Sequence, residues 1–126
     1  MTEKLTHKIL YIEDSPANRQ LVQFIVERKQ NLTISVAADG KSGIEAAKRE
    51  VPDLVLLDIS LPDMTGYAVL AALRSDPVTA KIPVVAISGE FPAKLPDNTP
   101  YLFERYLPKP IEIGPLYQTI DELLQT

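Results

Sequence analysis

VPDLVLLDISLPDMTG, residues 51–66, decides how the rest of the chain is read. Leu54-Val55-Leu56-Leu57 is an apolar run without polar alternation, so it reads as a strand buried on both faces, as in a parallel sheet. The run ends in Asp58, and a loop carrying Pro62 and Gly66 follows. A carboxylate just past the C-terminal end of such a strand lies where open α/β sheets bind their ligands. A helix cap or turn aspartate is the other reading of a single Asp after a strand. The remaining strand ends decide between the two.

Upstream, Lys8-Ile9-Leu10-Tyr11-Ile12 predicts a first buried strand that delivers Glu13 and Asp14 at its end. Ser15-Pro16 gives a helix start, with Ser as N-cap and Pro at the first helical position. Leu21, Phe24, Ile25 and Arg28 fall at helical spacing and predict an amphipathic first helix. Leu32, Ile34, Val36 and Ala38 alternate with smaller or polar residues, as in a strand nearer an edge. Asp39-Gly40 opens a helix expected from about Lys41 to Glu50, with Ile44 and Ala47 inward and Pro52 as its stop.

Downstream, a third helix is expected from Tyr67 to Ser75, with Val69, Leu70 and Leu73 apolar. Ile82-Pro83-Val84-Val85-Ala86-Ile87 is a fourth buried strand that delivers Ser88, its proline tolerated at the start. A fifth, about Phe103 to Leu107, ends at Pro108-Lys109-Pro110. A last helix from about Pro115 puts Leu116, Ile120, Leu123 and Leu124 on one face. This alternation means an α/β fold with a doubly wound, five-stranded parallel sheet. A flavodoxin-like order 2-1-3-4-5 brings Glu13, Asp14 and Asp58 to one crevice at the switch point.

Bulk properties narrow the function. The 126 residues are 45% hydrophobic and 24% charged, as in a globular chain with one core, and residues 1–126 are read as a single domain without an output module. Net charge is −4 with scattered Lys and Arg, which argues against a nucleic-acid surface. There is no cysteine, so thiolate chemistry and Cys-based metal sites are excluded, and a cytoplasmic setting fits. The apolar run Ile9 to Ile12 is too short for a signal-peptide core or a membrane span.

Three acids in one crevice repel one another, and a cation removes the conflict. An all-oxygen, partly hydrated site suits Mg²⁺ or Mn²⁺. Ser88 adds a hydroxyl donor and Lys109 a compact positive charge. A carboxylate nucleophile, a metal and a lysine make a phosphoryl-transfer site, since that chemistry is mainly positioning and charge neutralisation.

The set of Glu13-Asp14, Asp58 with Pro62 and Gly66, Ser88 after VVAI, and Lys109-Pro110 resembles the response-regulator receiver domain of two-component signalling. The resemblance runs from Lys8 to Leu124. It implies that Asp58 is the phospho-acceptor, loaded by a histidine kinase or a histidine phosphotransfer protein. Asp14, Asp58 and the backbone carbonyl of Ser60 would ligate Mg²⁺, with Glu13 acting through a metal-bound water. Lys109 would pair with the phosphoryl oxygens, and its bond to Pro110 would be cis. Ser88 would hydrogen-bond the phosphoryl group, and Tyr106 would be the aromatic whose rotamer follows. Ser60 and Glu90 fall where the family tunes phosphoryl lifetime. Such a domain catalyses only its own phosphorylation and dephosphorylation, so it is not an enzyme in the usual sense.

The chain departs from the family after Ser88. Pro92, Pro96 and Pro100 fall where receivers have their fourth helix, and an interior proline costs about 3 kcal/mol. That helix is expected to be short, irregular or absent, with Tyr101, Leu102 and Phe103 refilling its space. Other functions stay open. The same fold could be a receiver cut from a hybrid kinase or transcription factor, although the last helix running out at Leu124-Gln125-Thr126 favours a stand-alone form. A Mg²⁺-dependent phosphatase with an aspartyl-phosphate intermediate would want an acid two residues after Asp58, where Ser60 stands. A flavin binder would want a Gly- or Ser/Thr-rich phosphate loop after the first strand, where the acids stand. A never-phosphorylated scaffold would not need the complete set of site residues.

Overall fold

The computed structural model describes residues 6–89 and 102–125. Five strands, β1 (His7–Ile12), β2 (Leu32–Ala37), β3 (Leu54–Asp58), β4 (Val84–Ser88) and β5 (Arg105–Pro108), form one parallel sheet in the order β2-β1-β3-β4-β5. This is the expected doubly wound, flavodoxin-like sheet. Four helices lie among the described residues: α1 (Pro16–Glu27), α2 (Gly40–Glu50), α3 (Gly66–Arg74) and α4 (Ile113–Leu124). None is long and apolar enough to cross a membrane.

Strand alternation divides the core in two. Leu10, Ile12, Val55 and Leu57 pack with Ala47 of α2 and Val69, Leu70 and Leu73 of α3. Ile9, Tyr11, Leu54 and Leu56 pack on the other face with Val22 and Ile25 of α1 and Leu116 and Ile120 of α4. Each fully buried Leu or Ile contributes about 1.5–3 kcal/mol, so the three central strands anchor both layers.

Short polar side chains start the first three helices. Ser15 accepts from Asn18 N–H at 3.3 Å, Asp39 from Ser42 N–H at 2.8 Å, and Thr65 from Ala68 N–H at 3.2 Å. Asp63 adds a long-range cap to α2, accepting from Gly40 and Lys41 N–H at 2.8 and 2.9 Å. These two bonds tie α2 to the loop that follows β3. Gly66 closes the same loop: its N–H donates to Ile59 O at 2.8 Å, and a Cβ there would lie 2.8 Å from Ile59 Cα. Backbone approach of that kind admits only glycine.

Several sequence expectations shift. In α1 the buried residues are Val22, Ile25 and Val26, whereas Leu21 and Phe24 are 44% and 64% exposed. The inward stripe therefore sits about one position away from the one expected, because packing against β1 and β3 selects Val22, Ile25 and Val26, a choice that helical spacing alone leaves open. Phe24 instead lies under the Arg28 guanidinium, 5.6 Å from the ring centroid. β4 begins at Val84, with Pro83 just before it supplying its carbonyl to Val55 N–H. β5 begins at Arg105, and α4 begins at Ile113, so that Pro115 lies within its first turn, where no donor is needed.

Residues 90–101 are outside the described residues, and with them the expected short or irregular helix, Glu90 and Tyr101. Of the bulky trio, Phe103 is buried between Tyr67 and Tyr106, with ring centroids 5.7 and 5.6 Å away. Leu102 does not refill any space, because it is exposed.

Candidate functional site

Register gathers the chemistry at one edge of the sheet. Ile12 is level with Leu57, so Glu13 and Asp14 leave β1 beside Asp58 at the end of β3. Asp58 is level with Ile87, and Ser88 with Pro108, so Ser88 and Lys109 lie at the same C-terminal edge. The order of the strands makes this the crevice where such sheets bind ligands.

Glu13, Asp14 and Asp58 each offer an oxygen, and these atoms lie within 4.8 Å of one another. Glu13 and Asp58 are buried while Asp14 is exposed, giving a site with a dry floor and a wet rim. Lys109 Nζ lies 3.2 Å from Asp58 Oδ2 and 3.3 Å from Glu13 Oε1. Ser60 N–H donates to Asp58 Oδ1 at 3.1 Å. An oxygen-only donor set of this size, half open to water, fits a small hard cation.

The other expected residues are placed around that centre. Ser88 is half-buried at the end of β4, and its carbonyl accepts from Lys109 N–H at 2.9 Å. The Lys109-Pro110 bond is cis. Tyr106 is half-buried on β5 beside Ala86 and meets Phe103 edge-on at 71°. Ser60 is exposed and pairs with Thr65 in an isolated bridge that closes the loop after β3.

Three residues that the sequence reading did not single out complete the site. The Tyr11 hydroxyl donates to Glu13 Oε1 at 3.0 Å, and Asn18 Nδ2 donates to the same oxygen at 3.1 Å. Arg19 Nη1 donates to the Glu13 carbonyl at 2.8 Å. Period-two alternation could have found Tyr11, which shares a strand face with Glu13. Asn18 and Arg19 are one turn into α1, where side chains return towards the helix start.

Charge is unevenly held. Burial, and then Glu13, push Asp58 up to about 6, against the Ser60 N–H and Lys109, which pull it down. Burial acts the same way on Glu13, but hydrogen bonds from the Asp58 carboxyl and Asn18, with the Lys109 charge, hold it down at about 2. Burial opposes the charge of Lys109, but Asp58 and Glu13 outweigh it and raise its pKa. Tyr11 is raised above the usual phenol range by burial and by Glu13, so its hydroxyl stays a donor. The two neighbouring carboxyls are thus pushed apart, Glu13 towards the anion and Asp58 towards the protonated form.

Residues 9–121 match the response regulator receiver domain family. The chain is similar to the polar-differentiation response regulator DivK of Brucella ovis, 30% identical over 122 residues, which covers 95% of this chain and 98% of DivK. It is 36% identical over 122 residues to the transcriptional activator protein PfeR of Pseudomonas aeruginosa, covering 94% of this chain and 38% of PfeR. Among solved structures, a receiver domain from Methylobacillus flagellatus superposes with a TM-score of 0.83 at 28% identity, over 94% of this chain and 98% of that one. Several curated relatives are much longer proteins, of which the chain spans 18% to 38%.

Proposed function

The chain belongs to the response regulator receiver domain family, and on that premise we propose that it is a phospho-acceptor switch whose acceptor is Asp58. The observation that carries this reading is a buried Asp58, 2% exposed, facing Lys109 at 3.2 Å and lying within 4.8 Å of two further acids. An Asp58 oxygen attacks the phosphorus of a phosphohistidine on a histidine kinase or phosphotransfer protein. The P–N bond breaks, its electron pair stays on the imidazole nitrogen, and an acyl phosphate forms on Asp58. Later hydrolysis breaks the new P–O bond and returns the carboxylate.

Each residue has a task suited to its chemistry. Asp14, Asp58 and the Ser60 carbonyl would hold Mg²⁺, with Glu13 acting through a bound water. Mg²⁺, or Mn²⁺ in its place, would supply neutralisation of the phosphoryl oxygens. Lys109 leaves its bridge between Asp58 and Glu13 to pair with the incoming phosphoryl group. Ser88 then donates its hydroxyl to that group, and Tyr106 follows by changing rotamer against Phe103. The domain acts in the cytoplasm and passes its state to a downstream protein, not to nucleic acid or membrane.

The chain matches 98% of DivK and 38% of PfeR, so its relatives include both a protein of this length and a longer one. A phosphatase reading is disfavoured because the position two residues after Asp58 is Ser60, not an acid. Intact mass after incubation with acetyl phosphate and Mg²⁺ tests the proposal. A gain of about 80 Da on wild type and none on Asp58→Asn is expected for an aspartyl-phosphate site. No gain on wild type that has been confirmed to bind Mg²⁺, or equal gain on both, would overturn it.

A further inference from the structure

Glu13 poses a problem that an aspartate would not. Its side chain is one methylene longer, with one more torsion to fix, and an unfixed carboxylate is a poor partner for a cation. The structure fixes it chiefly through one oxygen. Oε1 accepts from Tyr11 OH at 3.0 Å, Asn18 Nδ2 at 3.1 Å and Lys109 Nζ at 3.3 Å. Oε2 takes only a long bond from a nitrogen donor, Ser15 N–H at 3.4 Å, and the other groups that meet Glu13 are the Asp58 and Asp14 carboxyls, which are acceptors once ionised around a cation. A carboxylate oxygen offers about two lone-pair sites, so three donors saturate Oε1 while Oε2 keeps free capacity.

Tyr11 is suited to this task. Its side chain is fully buried between β1, α1 and α4, so the ring has one orientation and its hydroxyl one direction. An ionised carboxylate only accepts, so the phenol must be the donor. Asn18 comes from a different element, the first turn of α1, which locks the carboxylate from two sides.

We propose that Tyr11 and Asn18 are positioning residues for the cation, holding Glu13 by Oε1 so that Oε2 is reserved for metal-bound water. This rests on the reading of the acidic crevice as a Mg²⁺ site. When Lys109 moves to a phosphoryl group, Tyr11 and Asn18 keep Oε1 occupied, so the orientation of Glu13 survives the loss of the ion pair.

The test is Mg²⁺ affinity by calorimetry for wild type, Tyr11→Phe and Asn18→Ala, each also in a Glu13→Asp background, with acetyl phosphate labelling of the wild type alongside. Tyr11→Phe keeps the buried ring, and Asn18 is only half-buried, so both variants should fold. Loss of a partner behind a metal ligand typically weakens binding about tenfold or more. We expect about that loss for Tyr11→Phe with Glu13 present, and under about twofold with the shorter Asp, whose oxygen no longer reaches the phenol. Wild-type affinity in both single variants, or the same loss in both backgrounds, overturns the inference and leaves the receiver reading intact. A wild type that neither binds Mg²⁺ nor takes the label overturns both.

Discussion

Lys109 and Asp58, 51 residues apart in the chain, meet at 3.2 Å across the end of the sheet. The same amine reaches Glu13, so one cation bridges two buried carboxyls. Removing it leaves both without a counter-charge. Because the amine is 28% exposed, the cost is less than for a fully buried pair. Lys109→Ala should lower metal-free stability at pH 7.5 by about 1–3 kcal/mol, and saturating Mg²⁺ should recover much of it. Urea unfolding with and without Mg²⁺ checks this, and an unchanged midpoint would refute the bridge.

Asp58 sits at about 6 in the metal-free site, above its ordinary value near 4. A carboxyl whose folded pKa is raised stabilises the fold when protonated and loses that contribution as pH rises through the folded value. Metal-free stability from this group should therefore fall between about pH 4 and 6. Glu13 has the opposite sign: its pKa is lowered to about 2, so its contribution is complete above its ordinary value of 4.5 and is lost as pH falls from there through about 2. Carboxyl carbon NMR should find the Asp58 midpoint near 6, and Mg²⁺ should move it down. A metal-free midpoint at or below about 4 would remove the basis for this expectation.

Asp58→Asn should raise metal-free stability at pH 7.5, because the raised pKa means that the fold disfavours the Asp58 anion. The gain should shrink at pH 5, where wild-type Asp58 is largely protonated. Stabilisation by Mg²⁺, about 2.7 kcal/mol at a hundred times Kd for wild type, should be much reduced in this variant. Thermal melts at the two pH values distinguish charge relief from a packing effect, which would not depend on pH.

Val51 ends α2 at φ 47°, in the left-handed region that a β-branched residue disfavours. Its side chain is about half exposed, so little packing is at stake. Val51→Gly should stabilise by about 0.5–1 kcal/mol, strain relief outweighing the extra entropy of the unfolded glycine. A lower urea midpoint than wild type would show that Val51 contributes contacts worth more than its strain.

Phe103 is buried against Tyr67 and Tyr106 at the entry to β5. Phe103→Ala should cost about 3–5 kcal/mol through the cavity left in the α2/α3 layer. Phe103→Leu should cost much less. Equal, small losses for the two would mean that the ring stack is not part of the core.

The acidic crevice was legible because the three central strands, β1, β3 and β4, are short apolar runs that lead into polar residues, and parallel strands buried on both faces leave no alternation to misread. Glu13, Asp14, Asp58 and Ser88 each sit at the end of such a run or just after it, and Lys109 follows β5, so locating the strand located the residue. Helix starts were legible too, since Ser15 and Asp39 act on donors three residues away. Those are local rules, and local rules are written in consecutive residues.

Tertiary structure decided what depends on residues far apart. Nothing in the spacing of Leu21, Phe24 and Ile25 says which side of α1 meets the sheet, and docking turned Phe24 outward and Val22 inward. The Asp63 cap of α2 spans 23 residues, and the Lys109 bridge to Asp58 spans 51. The division of charge between Glu13 and Asp58 arises from burial and from donors on three elements, Tyr11 on β1, Asn18 on α1 and Lys109 beyond β5. The sequence named the acids; only their packing made one a fixed anion and the other a group near 6, because the dielectric and the donors around a carboxyl exist only once the chain has folded.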